Sequence, residues 1–241
     1  MIVQLSSGGS LSDVDRSRIC DLAAEQAYAE LAVAVDWLES QADEPGLRIH
    51  CLFARLYLYD TKHWFNTPVL DEDSEFLKLF VARFMQGYFK QVIEVAKTGE
   101  GCGNGSWASY FKRTDKLTMR SNIFSHLVVV VLAFHTQICC DISKALYLSA
   151  KDHQALFGRP VELTRNRDLF FHPANRAVFQ GALLEFISFH RIHQSVFRRL
   201  TLSFFVKILG MTRGIWWPVL NGWRRKSWEA FETKIKQHPL Q

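Results

Sequence analysis

Apolar residues recur along most of this chain at three-and-four spacing, the period of a helix with one buried face. A first helix, capped by Asp13 or Ser12, runs to about Ser40 and sets Ile19, Leu22, Ala23, Tyr28, Leu31, Val35 and Leu38 on one side. Pro45-Gly46 ends that unit. A second helix from about Leu47 carries Phe53, Leu56, Tyr57 and Trp64 up to Asn66-Thr67-Pro68, where proline lacks a donor and restricts the residue before it. The acidic run Asp71-Glu72-Asp73-Ser74-Glu75 suits the positive end of a helix macrodipole and predicts a third helix over residues 76–97. A short helix follows over residues 107–111, then a long one over residues 118–150 and a loop over 151–167 with Gly158 and Pro160.

Asp168 or Asn166 opens the next element, His172-Pro173 marks a start or kink, and a helical pattern continues to about Arg199. From Leu200 the pattern breaks at Gly210 and Gly214 and ends in a helix over residues 221–237. No strand alternation of useful length and no repeat is present. These elements predict an all-α fold, a single-domain irregular helical bundle of about seven or eight helices over residues 1–241.

Composition fits a large core, with 48% hydrophobic and 22% charged residues and 32 aromatics made up of 19 Phe, 7 Trp and 6 Tyr; this excludes a disordered chain. The five cysteines form no CxxC pair, so the sequence gives neither a zinc ribbon nor a disulfide framework and reads as reduced thiols. The start, MIVQLSSGGSLSDVDRSR, lacks the basic opening and long apolar run of a signal peptide. The apolar run from Leu127 to Phe134 falls short of the ~20 residues of a bilayer span. Cytoplasmic localisation is the expectation.

The net charge of +5 is unevenly spread, with nine acidic and three basic residues in 1–50 against two acidic and nine basic in 198–241. Either the acidic start docks on the basic end, or the basic end forms a surface for an anionic partner. Nucleic acid is not expected, because basicity is the only footprint found. Trp216, Trp217, Trp223 and Trp228 beside Arg213, Arg224, Arg225 and Lys226 give an alternative function, non-catalytic binding to lipid or an anionic membrane surface by peripheral contact.

The helix over 118–150 carries polar residues in an apolar setting. At ~100° per residue His126 and Gln137 differ by about 20°, with Asp141 about 40° further round, and Asn122 extends the stripe by one turn. Buried polar groups need partners or a wet cavity. One reading makes Asp141 and His126 an acid/base pair with Gln137 orienting substrate, since burial raises a carboxyl pKa and lowers an imidazole pKa; the other makes them a satisfied core network. Arg55, Tyr59 and His63 form a second ridge at four-residue spacing with Asp60 beside it, either a solvated face or a binding group in which Arg55 pairs with Asp141 and Asp60 with His63. Phe84, Tyr88, Phe89, Phe134, Phe170, Phe171, Phe179, Phe186 and Phe189 are candidates for an apolar pocket or simply for core.

His190 and His193 are spaced to share a helix face, but there is no HExxH and no ExxH, so no cofactor is expected and a metal is left open. The Gly-rich segment over 99–106 lacks the Lys-Ser/Thr ending of a P-loop, and no Gly-x-Ser-x-Gly elbow occurs. The functional expectation is a small-molecule enzyme working on an apolar or partly apolar metabolite by acid/base chemistry, as a cyclase, isomerase, lyase or hydrolase without a Ser or Cys nucleophile.

Phe53-Ala54-Arg55-Leu56-Tyr57-Leu58, Ala82-Arg83-Phe84 with Tyr88-Phe89, Trp107 with Tyr110-Phe111, and Gln137-x-x-x-Asp141 resemble the bacterial all-helical domain-of-unknown-function family 5995 over about residues 47–150, with an echo in Arg225-x-x-Trp228. The resemblance implies an all-α fold and carries over Arg55 and Asp141, without supplying a reaction. That family has His-x-x-x-Asp where this chain has Gln137-x-x-x-Asp141, a departure that weighs against metal ligation at this position.

Overall fold

A computed structural model describes residues 12–40, 45–65, 74–98, 107–114, 116, 123–193 and 213–239. It is an all-α bundle, with no strand among the described residues. α1 spans Asp13–Ser40, α2 Pro45–Phe65, α3 Glu75–Thr98 and α4 Ala108–Thr114. A continuous rod follows, made of α5 (Ile123–Thr136), a π-helical turn (Gln137–Asp141) and α6 (Ile142–Phe157). α7 is Leu163–Phe170, α8 Ala174–His193 and α9 Arg213–Gln237.

The start of α1 is a capping box built with aspartate. Ser12 Oγ accepts the Asp15 N–H at 3.2 Å, while Asp15 Oδ2 takes the Ser12 N–H at 3.3 Å and its hydroxyl at 2.6 Å. The buried stripe of α1 is Cys20, Ala24, Ala27, Leu31, Ala34, Val35 and Leu38, whose small members let the helix lie close against α3. This rotates the helix from the expected face, and Leu22 is 53% exposed. The acidic residues of α1 pair with its own neighbours: Asp21 meets Lys78 of α3 at 2.6 Å, and Glu39 and Asp36 meet Arg55 of α2, each at 2.7 Å. Among the described ion pairs none joins α1 to the basic C-terminal helix.

Pro45 opens α2 rather than closing α1, at the first helical position where a missing N–H costs nothing. The rod runs seven residues past the expected end at Ala150. Those extra turns are held by Arg83, whose guanidinium grips Asp152 at 2.5 and 2.7 Å, and they stop at Gly158, left-handed with φ 67° and bonded through its N–H to Gln154 O at 2.8 Å. α9 likewise begins earlier than expected and contains both Gly214 and Pro218. It packs against α6 and the π turn, where Ser227 Oγ donates to the carbonyl of Ile138 at 2.5 Å.

α8 packs along α2 with Gly181 at the approach. A Cβ at Gly181 would lie 2.9 Å from the His63 ring, and that ring is held by Glu185 through Nε2 at 3.0 Å. Lys62 Nζ takes the other Glu185 oxygen at 2.6 Å. Gly181→Ala is therefore expected to cost about 1–3 kcal/mol by overpacking. Urea denaturation checks it: the double variant with His63→Ala should lose much less than the sum of the two single changes, and strict additivity would mean that the ring is not the obstacle.

Candidate functional site

A cavity of about 110 Å³ lies where α2, α3, the π turn and α7 to α9 converge. α2 contributes Leu56, Tyr57, Asp60, Thr61 and Trp64, and α3 contributes Phe80, Val81 and Phe84. The rod supplies Phe134, Gln137, Ile138 and Ile142, while α7 and α8 supply Phe170, Asn175 and Phe179. α9 closes the wall with Trp217, Leu220 and Arg224. The lining is mainly aromatic and aliphatic with a few polar groups, the usual make-up of a small-molecule site.

Several of those polar groups are spent on the scaffold. Thr61 Oγ1 donates to Tyr57 O at 3.0 Å, and Asn175 Nδ2 donates to Phe170 O at 2.8 Å, which fixes the corner between α7 and α8. Four others are available, one of them the Tyr57 hydroxyl, which has no hydrogen-bond partner among the described residues. Asp60 receives no hydrogen bond among the described residues, and its surroundings are otherwise apolar, so desolvation pushes its carboxyl up to about 6 against the pull of Arg224 and His63. Arg224 donates to Phe170 O and lies over the Phe170 ring with its guanidinium carbon 4.5 Å from the centroid. Burial brings its pKa down to about 10, with the Asp60 charge opposing. No ion pair joins Asp60 to Arg224, so both keep bonding capacity toward the cavity. Gln137 is 3% exposed and its Nε2 has no partner among the described residues.

This places two of the sequence-predicted residues, Gln137 and Asp60, in one cavity. The other candidates whose side chains are described lie outside its lining. Asp141 is buried one turn from Gln137 but lies outside the lining, accepting the Trp107 indole N–H at 2.8 Å. Gln137 and Asp141 are the two ends of the π turn, and the elements packed on either side of it give them different neighbours. Tyr88 is core, with its ring 5.6 Å from Trp107 and 5.0 Å from Tyr57. Arg55 does not pair with Asp141; it is turned to α1, where Nε and one terminal nitrogen take the two Glu39 oxygens at 2.9 and 2.7 Å. Tyr59 packs on the satellite cluster of Leu56, Leu183 and Phe186. His63 bonds Glu185 of α8, and Asp60 acts on it only through space.

His126 lies on α5 with its side chain outside the described residues, and Asn122 is outside them altogether, as are the side chains of His190 and His193 and the Gly-rich segment. Among the described residues no group of three or more His, Cys, Asp and Glu could hold a metal. Of the pocket-forming aromatics expected, Phe84, Phe134, Phe170 and Phe179 line the cavity, Phe186 is core, and the side chains of Phe89 and Phe189 are outside the described residues.

Arg224, Trp217, Trp64 and Asn175 are cavity residues that the sequence did not single out for this purpose. Arg224 and Trp217 belong to the Trp/Arg-rich stretch read as a membrane-contacting surface, yet both turn inward. Trp228 is 1% exposed and Trp223 packs edge-on against His135 at 5.0 Å. Arg225 and Lys226 are the exposed cations of this stretch; Trp216 and Arg213 have side chains outside the described residues. No helix of the described residues is long and apolar enough to cross a membrane.

Thiol chemistry has no support in the core, where burial pushes Cys20 and Cys51 up to about 12 and keeps both protonated. No family model matches this chain, and no curated protein or solved structure matches it.

Proposed function

We propose that this protein is a small-molecule enzyme of the acid/base type, acting on an apolar or partly apolar metabolite in the cavity beside Asp60. The observation that carries the reading is the Asp60 carboxyl, which has no hydrogen-bond donor among the described residues, lies in an apolar cavity and titrates close to neutrality. A group of that kind takes and returns protons with little mismatch at working pH. Arg224 and Gln137 Nε2 are fixed donors to the same space, suited to negative charge developing on a substrate oxygen. Isomerisation, cyclisation, elimination and hydrolysis all use such a set, and none of them requires a covalent nucleophile. The site thus moves from the Asp141–His126 pair to Asp60. The likeness to family 5995 adds its two positions, Arg55 and Asp141, as supports of α2 and the π turn that present Asp60 and Gln137.

Profiling a metabolite extract by mass spectrometry before and after incubation tests this reading. A species consumed by the unsubstituted protein and spared by Asp60→Asn, with a loss of at least about 10²-fold in rate, is the expected result. Equal consumption by both proteins would remove Asp60 from the chemistry, and an extract left unchanged by the unsubstituted protein would count against an enzyme.

A further inference from the structure

We propose that the cavity takes a neutral, compact, mostly apolar carbonyl compound of about seven non-hydrogen atoms, its oxygen held by Gln137 Nε2 and Arg224 and its adjacent C–H facing Asp60. The inference rests on the acid/base reading above and deepens it by naming the ligand class.

Size comes first. A cavity of about 110 Å³ is somewhat below the ~150 Å³ that encloses a benzene ring, but it is partly open, so a single six-membered ring with one substituent atom fits with part of it at the mouth. The lining then selects an apolar body, since Phe80, Phe84, Phe134, Phe179 and Trp64 offer only ring faces and edges. The polar groups of the lining are few, Asp60, Thr61, Gln137, Asn175, Arg224 and the Tyr57 hydroxyl. Gln137 Nε2 is a buried donor without a partner among the described residues, a condition that native interiors seldom leave uncorrected. It asks for an acceptor atom, and a carbonyl oxygen supplies one.

Charge decides between ligand classes. Asp60 and Arg224 balance one another across the cavity, so a neutral ligand leaves the balance intact in a medium where an added charge is costly. A carboxylate would meet Asp60 as a like charge, and an ammonium would meet Arg224, which already occupies the face of Phe170. In the reaction this set permits, Asp60 takes the proton from the carbon beside the carbonyl. The C–H electron pair moves into the new C=C bond, the carbonyl π pair moves to oxygen, and the enolate oxygen is held by Arg224 and Gln137. Return of the proton to the same or a neighbouring atom completes an exchange or an isomerisation with no other reactant.

The test is a matched ligand series, cyclohexanone, methylcyclohexane, cyclohexylammonium and cyclobutanecarboxylate, titrated into the full chain and followed by protein NMR shifts. Cyclohexanone is expected to bind at least about tenfold tighter than each of the others. In Gln137→Leu, checked for an unchanged helical circular dichroism spectrum, its advantage over methylcyclohexane should shrink about tenfold. Methylcyclohexane binding equally well, or either ion binding more tightly, overturns the ligand class in the unsubstituted protein, whatever the variant does. Deuterium exchange of the cyclohexanone α-protons in D₂O separates the two claims. Binding with exchange that Asp60→Asn abolishes supports both. Selective binding without exchange leaves the ligand class standing and overturns Asp60 as the base.

Discussion

Trp228→Ala is expected to lower the stability of this protein by about 4 kcal/mol, the scale of a buried aromatic replaced by a methyl group. Trp228 is 1% exposed, and it joins three elements. Its ring lies 5.1 Å from Phe170 and 6.1 Å from Phe171 at the end of α7, and 5.4 Å from Phe231, which in turn stacks on Phe76 of α3 at 6.0 Å. The indole N–H donates to Glu232 at 2.6 Å, so the polar edge is satisfied while the rest of the ring fills the core. Truncation leaves a void between α3, α7 and α9 that no single neighbour can fill. For a chain of this size the loss corresponds to a melting temperature lower by roughly 8–16 °C. Arg224 sits one turn before Trp228 on the same helix, so loosening α9 also loosens the cavity wall. Trp228→Phe, which keeps most of the ring, should retain most of the stability. A melting temperature unchanged in Trp228→Ala would mean that α9 is not anchored at this point.

The second large effect is a gain. Asp60→Asn is expected to stabilise the protein by about 1–3 kcal/mol at pH 7.5 and to leave it nearly unchanged at pH 4. The sign follows from where the proton is held. Asp60 titrates at about 6 in the native state against an ordinary 3.8, so between those values the folded protein binds a proton that the unfolded chain releases. Stability is therefore fullest below about 4, falls as pH rises through 6, and stays lowered above it. Asparagine keeps the shape and omits the ionisation, which removes the fall. Chemical denaturation of both proteins across pH 4–8 reads the difference directly, and parallel curves would show that Asp60 does not titrate abnormally. A residue that costs stability at working pH is the usual mark of a position kept for chemistry.

Much of the fold was legible because its signals are local. Ser12 caps α1 and the helical period places α1, α2 and α3 to within a few residues of their bounds. The face of α1 was misjudged because a stripe of alanines and a cysteine packs closer to α3 than the larger Leu22 could. The stretch 151–157 reads as a loop, and contacts far away in sequence hold it as helix, Asp152 with Arg83 and Phe157 with Cys20 and Leu79.

The site was legible in part for the same reason. Gln137 is a polar residue in an apolar stretch, a contrast visible in one dimension, whereas Asp60 stands in the polar run Tyr59-Asp60-Thr61-Lys62-His63 and reads equally well as part of a solvated face. Which partner each finds is not visible that way. Gln137 and Asp141 lie one turn apart and read as one face, although Gln137 faces the cavity and Asp141 faces Trp107, because each is placed by elements distant in the chain. Arg224 looked like part of a basic surface, and its burial depends on an aromatic wall assembled from α7 and α9. Arg55 has acidic candidates both on α1 and at Asp141, and the chain's packing of α1 against α2 decides for Glu39 and Asp36.

The most direct test of the account is the titration of the Asp60 carboxyl itself, followed by carbon-detected NMR of aspartate-labelled protein, with Asp60→Asn supplying the assignment. A midpoint near 6 is expected. A midpoint near 4 would describe an ordinary solvated carboxylate with no proton to exchange at neutral pH, and would contradict the acid/base site.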